Sequence, residues 1–329
     1  MALLICPGCR TLRDGRLDVR TLERDGDVLR CDCGRRYPIV DGVPIVLGEP
    51  MGYLRGEAMT VVERDLSPEV AALLVETVPD DAPYARLLEH LSIYLDAHWG
   101  DRADPPTGLA LGAVLDRLGA LPRVEHACEL GCSAGRIVAE LAKQADHVVG
   151  LDLQFGTVRR ARQLLAGEAI RYGRRMIGRS YAPVRITPGE LASDRVTLLC
   201  GDALDPPLIP RAFDRVVALN LMDSVANPRQ LLSVIDGLCD HGGEIILGCP
   251  YSWQSQVLPE HHRFGGADPG AALRALLTGG ELTARYEIVD EADLAWTLRR
   301  DARSTLTYRI DYLRARKLSP RTGSQVQAG

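Results

Sequence analysis

The sequence His126-Ala-Cys-Glu-Leu-Gly-Cys-Ser-Ala-Gly-Arg136, followed by Val148-Val-Gly-Leu-Asp152, decides the fold. Its apolar residues predict a short strand, and Gly131 and Gly135 predict a tight turn that a ligand can approach closely. A helix should follow the turn and direct its N-terminus at that ligand. A second strand then ends at Asp152, where a βαβ unit places an acid against a ribose diol. The pattern indicates a site for an adenosine-containing cofactor.

Further apolar segments continue this alternation of strands and helices. Strands are predicted at 196–200, 213–219 and 242–249, and polar residues follow each of them. Near the C-terminus, the alternating residues of 306–312 predict a last strand. Strands that alternate with helical segments are typical of an α/β fold with a mostly parallel sheet and helices on both faces. The sequence therefore predicts a Rossmann-like architecture.

The order of these motifs resembles that of the class I S-adenosylmethionine-dependent methyltransferases, over about residues 80–315. The resemblance implies a seven-stranded, mostly parallel sheet whose last strand is antiparallel. It implies a cofactor site with Glu129 and Gly131 at the methionine end, Asp152 on the ribose hydroxyls, Asp202 on the adenine amino group and Asn220 beside the sulfonium. Ser133, Gly135 and Ala203 are further cofactor-binding candidates. Ser133 stands where the family usually has a glycine.

Composition places the chain among soluble globular proteins. It has 329 residues, a formal net charge of -5, 46% hydrophobic residues and nine cysteines. No apolar run reaches the roughly 18 residues of a membrane span, and no secretory signal is evident. An odd number of scattered cysteines favours reduced thiols and a metal site over a disulfide framework. We therefore expect a cytoplasmic protein without a membrane partner, and the sequence leaves its oligomeric state open.

Residues 1–50 predict a zinc ribbon, because two close cysteine pairs, Cys6/Cys9 and Cys31/Cys33, bracket a polar, turn-rich stretch. Two such pairs supply the four thiolates of a tetrahedral site, and structural zinc would stabilise a segment too short to bury a core alone. The segment resembles the small zinc-ribbon protein that serves as activator subunit for tRNA and protein methyltransferases. Its second pair is C-x-C, one residue shorter than the usual C-x-x-C. The alternative is a zinc-free ribbon with buried free thiols.

Residues 51–120 predict a helical connector that covers the cofactor. Apolar residues recur every three or four positions between Tyr84 and Trp99. In class I methyltransferases, helices before the first strand cover the cofactor, so Tyr94, His98 and Trp99 are candidates to face the active site. Ordinary helix packing is the alternative for all three.

The methyltransferase domain is predicted over 121–329, with a basic insertion at 156–195 that is longer than a plain helix and loop. This insertion region contains nine arginines and only three acidic residues. A basic helix can dock phosphates, as in nucleic-acid binding. More often such a helix is a solvated face that pairs with acids elsewhere. The negative net charge argues against a nucleic-acid partner.

Acceptor-binding residues are expected beyond the carboxyl ends of the strands, where ligands of such sheets bind. Asp223 follows the fourth strand, and Tyr251 and Trp253 follow the fifth. Asp223 is the first candidate base or acceptor orienter, and His98 the second. The alternative for Asp223 is a loop or helix-cap acid.

Three motifs together resemble the methyltransferase domain of ovothiol synthase, which methylates an imidazole nitrogen. They are N-L-x-D from Asn220, P-Y-x-W from Pro250, and W-x-x-R-x-x-x-R from Trp296 to Arg303. The resemblance adds Trp296, Arg299 and Arg303 to the acceptor pocket. The two arginines are candidates to clamp a carboxylate, and surface ion pairing is their alternative.

The sequence thus predicts methyl transfer from S-adenosylmethionine to a small amino-acid-like or heteroaromatic metabolite. The second hypothesis is methylation of a protein or tRNA, suggested by the ribbon and the basic insertion. The third is a cofactor-binding scaffold without turnover, against which the acids Glu129, Asp152 and Asp202 argue.

Overall fold

The computed structural model describes residues 3–13, 16–58, 61, 66–67, 70, 73–74, 79, 83–191 and 193–319. The connector is predicted over 51–120, and most of its residues between 59 and 82 lie outside the described residues. Position 192 of the basic insertion also lies outside them. None of the described helices is both long enough and apolar enough to cross a membrane.

Strands occur throughout the described part of the chain. They are β1 Thr11–Arg13, β2 Arg16–Asp18, β3 Glu23–Asp25, β4 Val28–Arg30, β5 Arg36–Val40, β6 Val43–Pro44, β7 Ala103–Asp104, β8 Val124–Leu130, β9 Ala145–Asp152, β10 Ile170–Arg175, β11 Tyr181–Ile186, β12 Val196–Cys200, β13 Phe213–Leu219, β14 Cys239–Cys249, β15 Tyr286–Arg299 and β16 Thr305–Lys317. The helices are α1 Pro50–Gly56, α2 Pro83–Trp99, α3 Gly112–Gly119, α4 Arg136–Leu141, α5 Phe155–Leu165, α6 Pro228–Leu238 and α7 Pro269–Gly279.

Seven strands form the central sheet, in the order β12-β9-β8-β13-β14-β16-β15. The pairings from β12 to β14 are parallel, and β16 is antiparallel to both of its neighbours. This topology confirms the predicted α/β fold with a seven-stranded, mostly parallel sheet and an antiparallel last strand.

Both faces of the sheet are buried, which is why its central strands are nearly continuous apolar runs. In β13, Val217 packs into the core beneath α3, α4 and α5, whereas Val216 and Ala218 pack into the core beneath α6 and α7. Helix α6 begins at Pro228 because the Asn227 side chain accepts a hydrogen bond from a backbone N–H of the first turn. Helices on both faces follow from this two-sided burial.

The basic insertion folds as α5 followed by the β10–β11 hairpin, which pairs with β7 in a small separate sheet. It presents less free positive charge than the sequence suggested. Arg159, Arg160 and Arg174 are buried, and Arg175 forms an ion pair with Glu89. Several arginines of the insertion pair with acids elsewhere in the chain, as the alternative interpretation expected, although part of this pairing is buried.

The N-terminal segment continues the central sheet at its β12 edge. Ile45 makes a parallel bridge to Cys200, and the Val46 N–H donates to the Cys200 carbonyl at 2.9 Å. Leu4 makes an antiparallel bridge to Leu208, and Tyr37 is fully buried in the core that also contains α6. The ribbon and the sheet thus share one hydrophobic core, while the domain boundary near residue 50 stays a prediction.

A buried ion pair ties the end of the chain to α6. Lys317 Nζ lies 3.0 Å from Asp236 Oδ1, and the Tyr286 hydroxyl donates to the same oxygen at 2.7 Å. Burial raises the pKa of Asp236, but hydrogen bonds from Thr283, Tyr286 and Lys317 outweigh that effect and lower the pKa below its ordinary value. The ionised carboxylate is therefore the form that this packing stabilises.

We predict that Asp236→Ala lowers the free energy of unfolding by about 3–5 kcal/mol, because it leaves a buried ammonium without its partner. Asp293→Ala, which removes an exposed acid paired with Arg309, is the control and should cost about 1 kcal/mol or less. Urea denaturation measures both. Because the pKa of Asp236 is lowered in the folded state, the deficit should be full at neutral pH and shrink as the pH falls below about 4. Equal losses for the two variants would contradict this prediction.

Candidate functional site

A cavity of about 550 Å³ opens at the carboxyl ends of the central strands. Most of the residues predicted to bind cofactor line it: Glu129, Gly131, Ser133, Asp152, Asp202, Ala203 and Asn220. Three residues predicted on the acceptor side also line it: His98, Asp223 and Trp296. The cavity therefore brings the strand-end acids and part of the predicted acceptor set together.

The glycine turn after β8 has left-handed backbone at three positions. The φ angles are +77° at Gly131, +46° at Ser133 and +78° at Gly135. A Cβ at Gly131 would lie 3.0 Å from a methyl carbon of Leu221, and one at Gly135 would lie 2.9 Å from Cβ of Ala161 in α5. Gly135 does not line the cavity; it begins α4 and lets that helix pack closely on α5.

Asp152 joins the turn to the end of β9. Its Oδ2 accepts from the Ser133 N–H at 2.9 Å, and its Oδ1 accepts from the Gln154 N–H at 2.8 Å. Burial raises the pKa of Asp152, and these backbone donors act against that rise. Ser133 fits the position usually held by glycine because its backbone adopts the left-handed conformation and makes this hydrogen bond.

Two buried polar atoms at the cavity have no hydrogen-bond partner among the described residues. They are Oε2 of Glu129 and Oδ1 of Asn220. Glu129 is only 1% exposed, and burial together with the charge of Asp152 raises its pKa. Unpaired buried acceptors are costly, so both atoms suit hydrogen-bond donors of a bound ligand. The donors of a cofactor with an amino group and a ribose match this set of acceptors.

The end of α2 supports the turn from the other side. The Trp99 indole N–H donates to the Ala134 carbonyl at 2.7 Å, and Arg136 makes a bidentate pair with Asp101. Nδ1 of His98 accepts from the Arg136 N–H at 3.4 Å, and burial and the Arg136 charge lower the pKa of His98 to about 3. So weak a base does not suit proton abstraction at neutral pH. The geometry favours a positioning role for His98 over the base considered from the sequence.

Asp223 lies where the loops after β13 and β14 meet. Its Oδ2 accepts from the Ser252 N–H at 2.9 Å, and its carbonyl accepts from the Gln254 N–H at 3.0 Å. The side chain is buried, and burial raises its pKa despite these backbone contacts. Among the acidic lining residues, Asp223 is the one supplied by the loop after β13.

Four residues predicted for the acceptor pocket do not line the cavity. Tyr251 donates its hydroxyl to Asp311 at 2.9 Å, and Trp253 packs on Tyr251 and Phe264. Arg299 Nη1 lies 3.3 Å from Oδ2 of the buried Asp96, and Arg303 is exposed in the turn between β15 and β16. The expected convergence of these four with Asp223 and Trp296 is not what the structure shows. A hydrogen bond, aromatic packing and an ion pair hold Tyr251, Trp253 and Arg299 elsewhere, and Arg303 lies in an exposed turn.

The cavity has lining residues that the sequence analysis missed. His90 and Tyr308 are among them. His90 precedes Tyr94 and His98 at intervals of four, so all three lie on one face of α2. Tyr308 pairs with Trp296 across the β15–β16 hairpin. Helical spacing could have identified His90, whereas Tyr308 required the register of the hairpin.

The four cysteines of the N-terminal segment form one cluster. Their sulfur atoms all lie within 4.8 Å of one another, with 3.9 Å between Cys6 and Cys33 and 3.7 Å between Cys9 and Cys31. Four thiolates about 2.3 Å from a tetrahedral zinc ion would be about 3.8 Å apart. The shorter C-x-C pair reaches the cluster through a turn in which the Gly34 N–H donates to the Cys31 carbonyl. The cysteine geometry therefore fits zinc.

Comparison with known proteins identifies the central part of the chain. Residues 128–247 match the family model described as a methyltransferase domain. The matched segment runs from β8 into β14 and includes the glycine turn and the acids that line the cavity. Over these residues the chain is similar to a methyltransferase domain. A search of curated proteins gave no match.

Several solved structures are similar in fold. A putative methyltransferase from Bacillus halodurans is 15% identical, with 63% of this chain and 98% of that chain covered at a TM-score of 0.44. The N-methyltransferase NodS from Bradyrhizobium japonicum is 14% identical, with 73% and 100% covered and a TM-score of 0.41. A complex between the Haloferax volcanii Trm112 methyltransferase activator and a putative methyltransferase is 14% identical, with 69% and 92% covered and a TM-score of 0.45. No conclusion about substrate follows from these similarities.

We predict about one zinc ion per chain, held by the four-cysteine cluster. Metal analysis of protein purified without added metal should find near-stoichiometric zinc, and a Cys6→Ser/Cys9→Ser variant should lose it because two of four ligands are gone. Cys239→Ser, which removes a buried cysteine outside the cluster, should keep the metal. Full zinc content in the double variant would refute the site.

Proposed function

We propose that the protein transfers a methyl group from S-adenosylmethionine to a small metabolite. The proposal rests on the match of residues 128–247 to a methyltransferase domain model and on the cavity at the strand ends, which four acids line. One of these acids, Glu129, has a buried oxygen without a hydrogen-bond partner among the described residues. When bound, S-adenosylmethionine supplies a methyl group activated by a sulfonium. What remains for the chain is to bind and orient two molecules and to exclude water.

In this proposal the residues along β8 and β9 hold the cofactor. Asp152, fixed by two backbone N–H groups, accepts hydrogen bonds from the ribose hydroxyls. Glu129 and Gly131 bind the methionine end, Asp202 and Ala203 lie against the adenine, and Asn220 is directed at the reacting centre. The buried acceptors of Glu129 and Asn220 support these assignments, because a ligand that donates to them satisfies both.

Asp223 orients the acceptor and takes its proton where the acceptor carries one. Support comes from its place in the cavity and from its raised pKa, which makes the carboxylate a better proton acceptor than a solvated aspartate. His98 holds the glycine turn in place. Zinc, where the cysteine cluster binds it, has a structural role in the ribbon.

The charge distribution favours a small molecule over tRNA or a protein surface. The basic insertion was the main sequence feature for a polymeric substrate, yet Arg159, Arg160 and Arg174 are buried within it. Arg174 and Arg299 both pair with Asp96, which balances one of their two positive charges inside the protein. Of the nine arginines of the insertion, three are exposed: Arg162, Arg171 and Arg185.

We predict that Asp152→Ala weakens binding of S-adenosylhomocysteine by about 1–3 kcal/mol, because the ribose hydroxyls lose a buried acceptor. Isothermal titration calorimetry measures the change. Asp146→Ala, which removes an exposed acid paired with Arg123 at the opposite end of β9, is the control and should bind as the unchanged protein does. Unchanged affinity in Asp152→Ala would rule out this assignment.

The reaction itself is tested by supplying methyl-labelled S-adenosylmethionine with either a small-molecule extract or a tRNA and protein extract. Label should enter the low-molecular-mass fraction, because residues of α2 and of the β15–β16 hairpin line part of the cavity wall. Label in tRNA or protein alone would favour the polymeric substrate. Cofactor binding without transfer to either extract would favour the scaffold.

A further inference from the structure

We propose that the acceptor is a basic amine, protonated in solution, that puts no carboxylate or phosphate of its own into the cavity. The inference rests on the proposed methyl transfer and names the substrate class for it. It comes from the charges and rings of the residues that line the cavity, and it departs from the carboxylate clamp expected from the sequence.

The cavity wall is acidic. Glu129, Asp152, Asp202 and Asp223 line it, and no lysine or arginine does so among the described residues. The first three lie on the side assigned to the cofactor, which leaves Asp223 as the charged group on the acceptor side. A buried anion without a cationic partner is strongly unfavourable. Beside Asp223, the wall therefore disfavours an acceptor that carries a negative charge.

Three arginines that contact α2 and the loop after it form ion pairs inside the protein. Arg174 and Arg299 contact Asp96, which is only 3% exposed, and Arg174 also contacts the Tyr172 hydroxyl. Arg136 makes its bidentate pair with Asp101 and lies over the Trp99 ring. Recruiting Arg136 to an anionic acceptor would break its bidentate pair with Asp101, and recruiting Arg174 and Arg299 together would leave the buried Asp96 without a cation.

Aromatic rings form the remaining wall on the acceptor side. His90 and Tyr94 from α2 have ring centroids 4.3 Å apart, and Trp296 and Tyr308 from the β15–β16 hairpin line the same cavity. Burial lowers the pKa of His90, so its ring is neutral at physiological pH and adds no cation. Faces of tryptophan and tyrosine attract an ammonium group through their quadrupoles. This wall suits a cation flanked by apolar carbon.

Asp223 completes the binding of such a cation. Its Oδ2 accepts from the Ser252 N–H, and its Oδ1 lies 3.4 Å from the Ser224 hydroxyl; the Cys249 thiol also contacts this carboxylate. A carboxylate oxygen has two lone pairs, so capacity remains for an ammonium N–H. Before the nitrogen can be methylated, one N–H bond breaks, its electron pair stays on nitrogen, and the proton goes to Asp223, which becomes a neutral carboxylic acid.

The test compares matched pairs of probes that differ in the sign of their charge. The pairs are phenethylamine with 3-phenylpropionate, tryptamine with indole-3-propionate, and n-butylamine with n-pentanoate. Calorimetry on the full chain saturated with S-adenosylhomocysteine gives each affinity without turnover. At least one amine should bind about tenfold or more tightly than its carboxylate partner.

Two variants identify the group responsible. Asp223→Asn should weaken binding of the preferred amine by about tenfold or more while leaving S-adenosylhomocysteine affinity unchanged, which also shows that the variant is folded. Asp293→Asn removes one exposed negative charge from the outer strand and should bind the amine as the unchanged protein does.

The outcomes separate this inference from the proposed function. Failure to bind S-adenosylhomocysteine would count against the proposed function itself. Binding of S-adenosylhomocysteine with equal or tighter binding of the carboxylates, with no amine bound, or with amine binding indifferent to Asp223→Asn would overturn the inference alone.

Discussion

The two hydrogen bonds that Asp152 accepts from the Ser133 and Gln154 N–H groups organise the functional half of the molecule. They join the loops after two neighbouring parallel strands, so the glycine turn and the end of β9 form one surface. Parallel pairing places the remaining strand ends at the same edge, and the loops after β13 and β14 meet there through Asp223. The parallel direction of the strands thus determines where the cavity lies, and its acids come from the ends of successive strands and the loops after them.

A second polar network shapes the other half of the cavity without lining it. Asp96 on α2 receives Tyr172 and Arg174 from the inserted hairpin and Arg299 from β15, and Asp96 itself is almost fully buried. Three elements that are distant in sequence are fixed against one another by one carboxylate. Because residues four apart share a face of a helix, this fixation leaves Tyr94 and His98 of α2 directed toward the cavity. Arg174 and Arg299 contact Asp96 outside the cavity lining, whereas the lining itself contains acids and no lysine or arginine among the described residues.

Sequence reasoning was strongest where backbone conformation and strand ends determine position. Gly131, Asp152 and Asp202 follow directly from a turn or a strand end, and topology alone brings them together. Gly135 was assigned to the cofactor, but its missing Cβ serves the packing of α4 on α5. The acceptor side depended on tertiary partners that no local pattern contains: Arg299 is drawn to Asp96, which is 203 positions away, and Tyr251 to Asp311. The register that pairs Tyr308 with Trp296 also depends on a bulge near Ile288. The alternation of apolar and polar residues along a strand does not predict such a bulge.

The position of the N-terminal segment bears on which backbone groups at the edges of the central sheet are left unpaired. An open sheet has two edge strands with unpaired backbone groups, and each edge invites addition of a foreign strand. At β12 the edge is covered, because the segment around Ile45 hydrogen-bonds alongside Cys200. At β15 no strand of the described chain lies alongside, but that strand carries Glu287, Asp290, Glu291 and Asp293. One edge is paired at the end of β12 by a piece of the same chain, and the other carries acids of which Asp290, Glu291 and Asp293 form ion pairs with arginines.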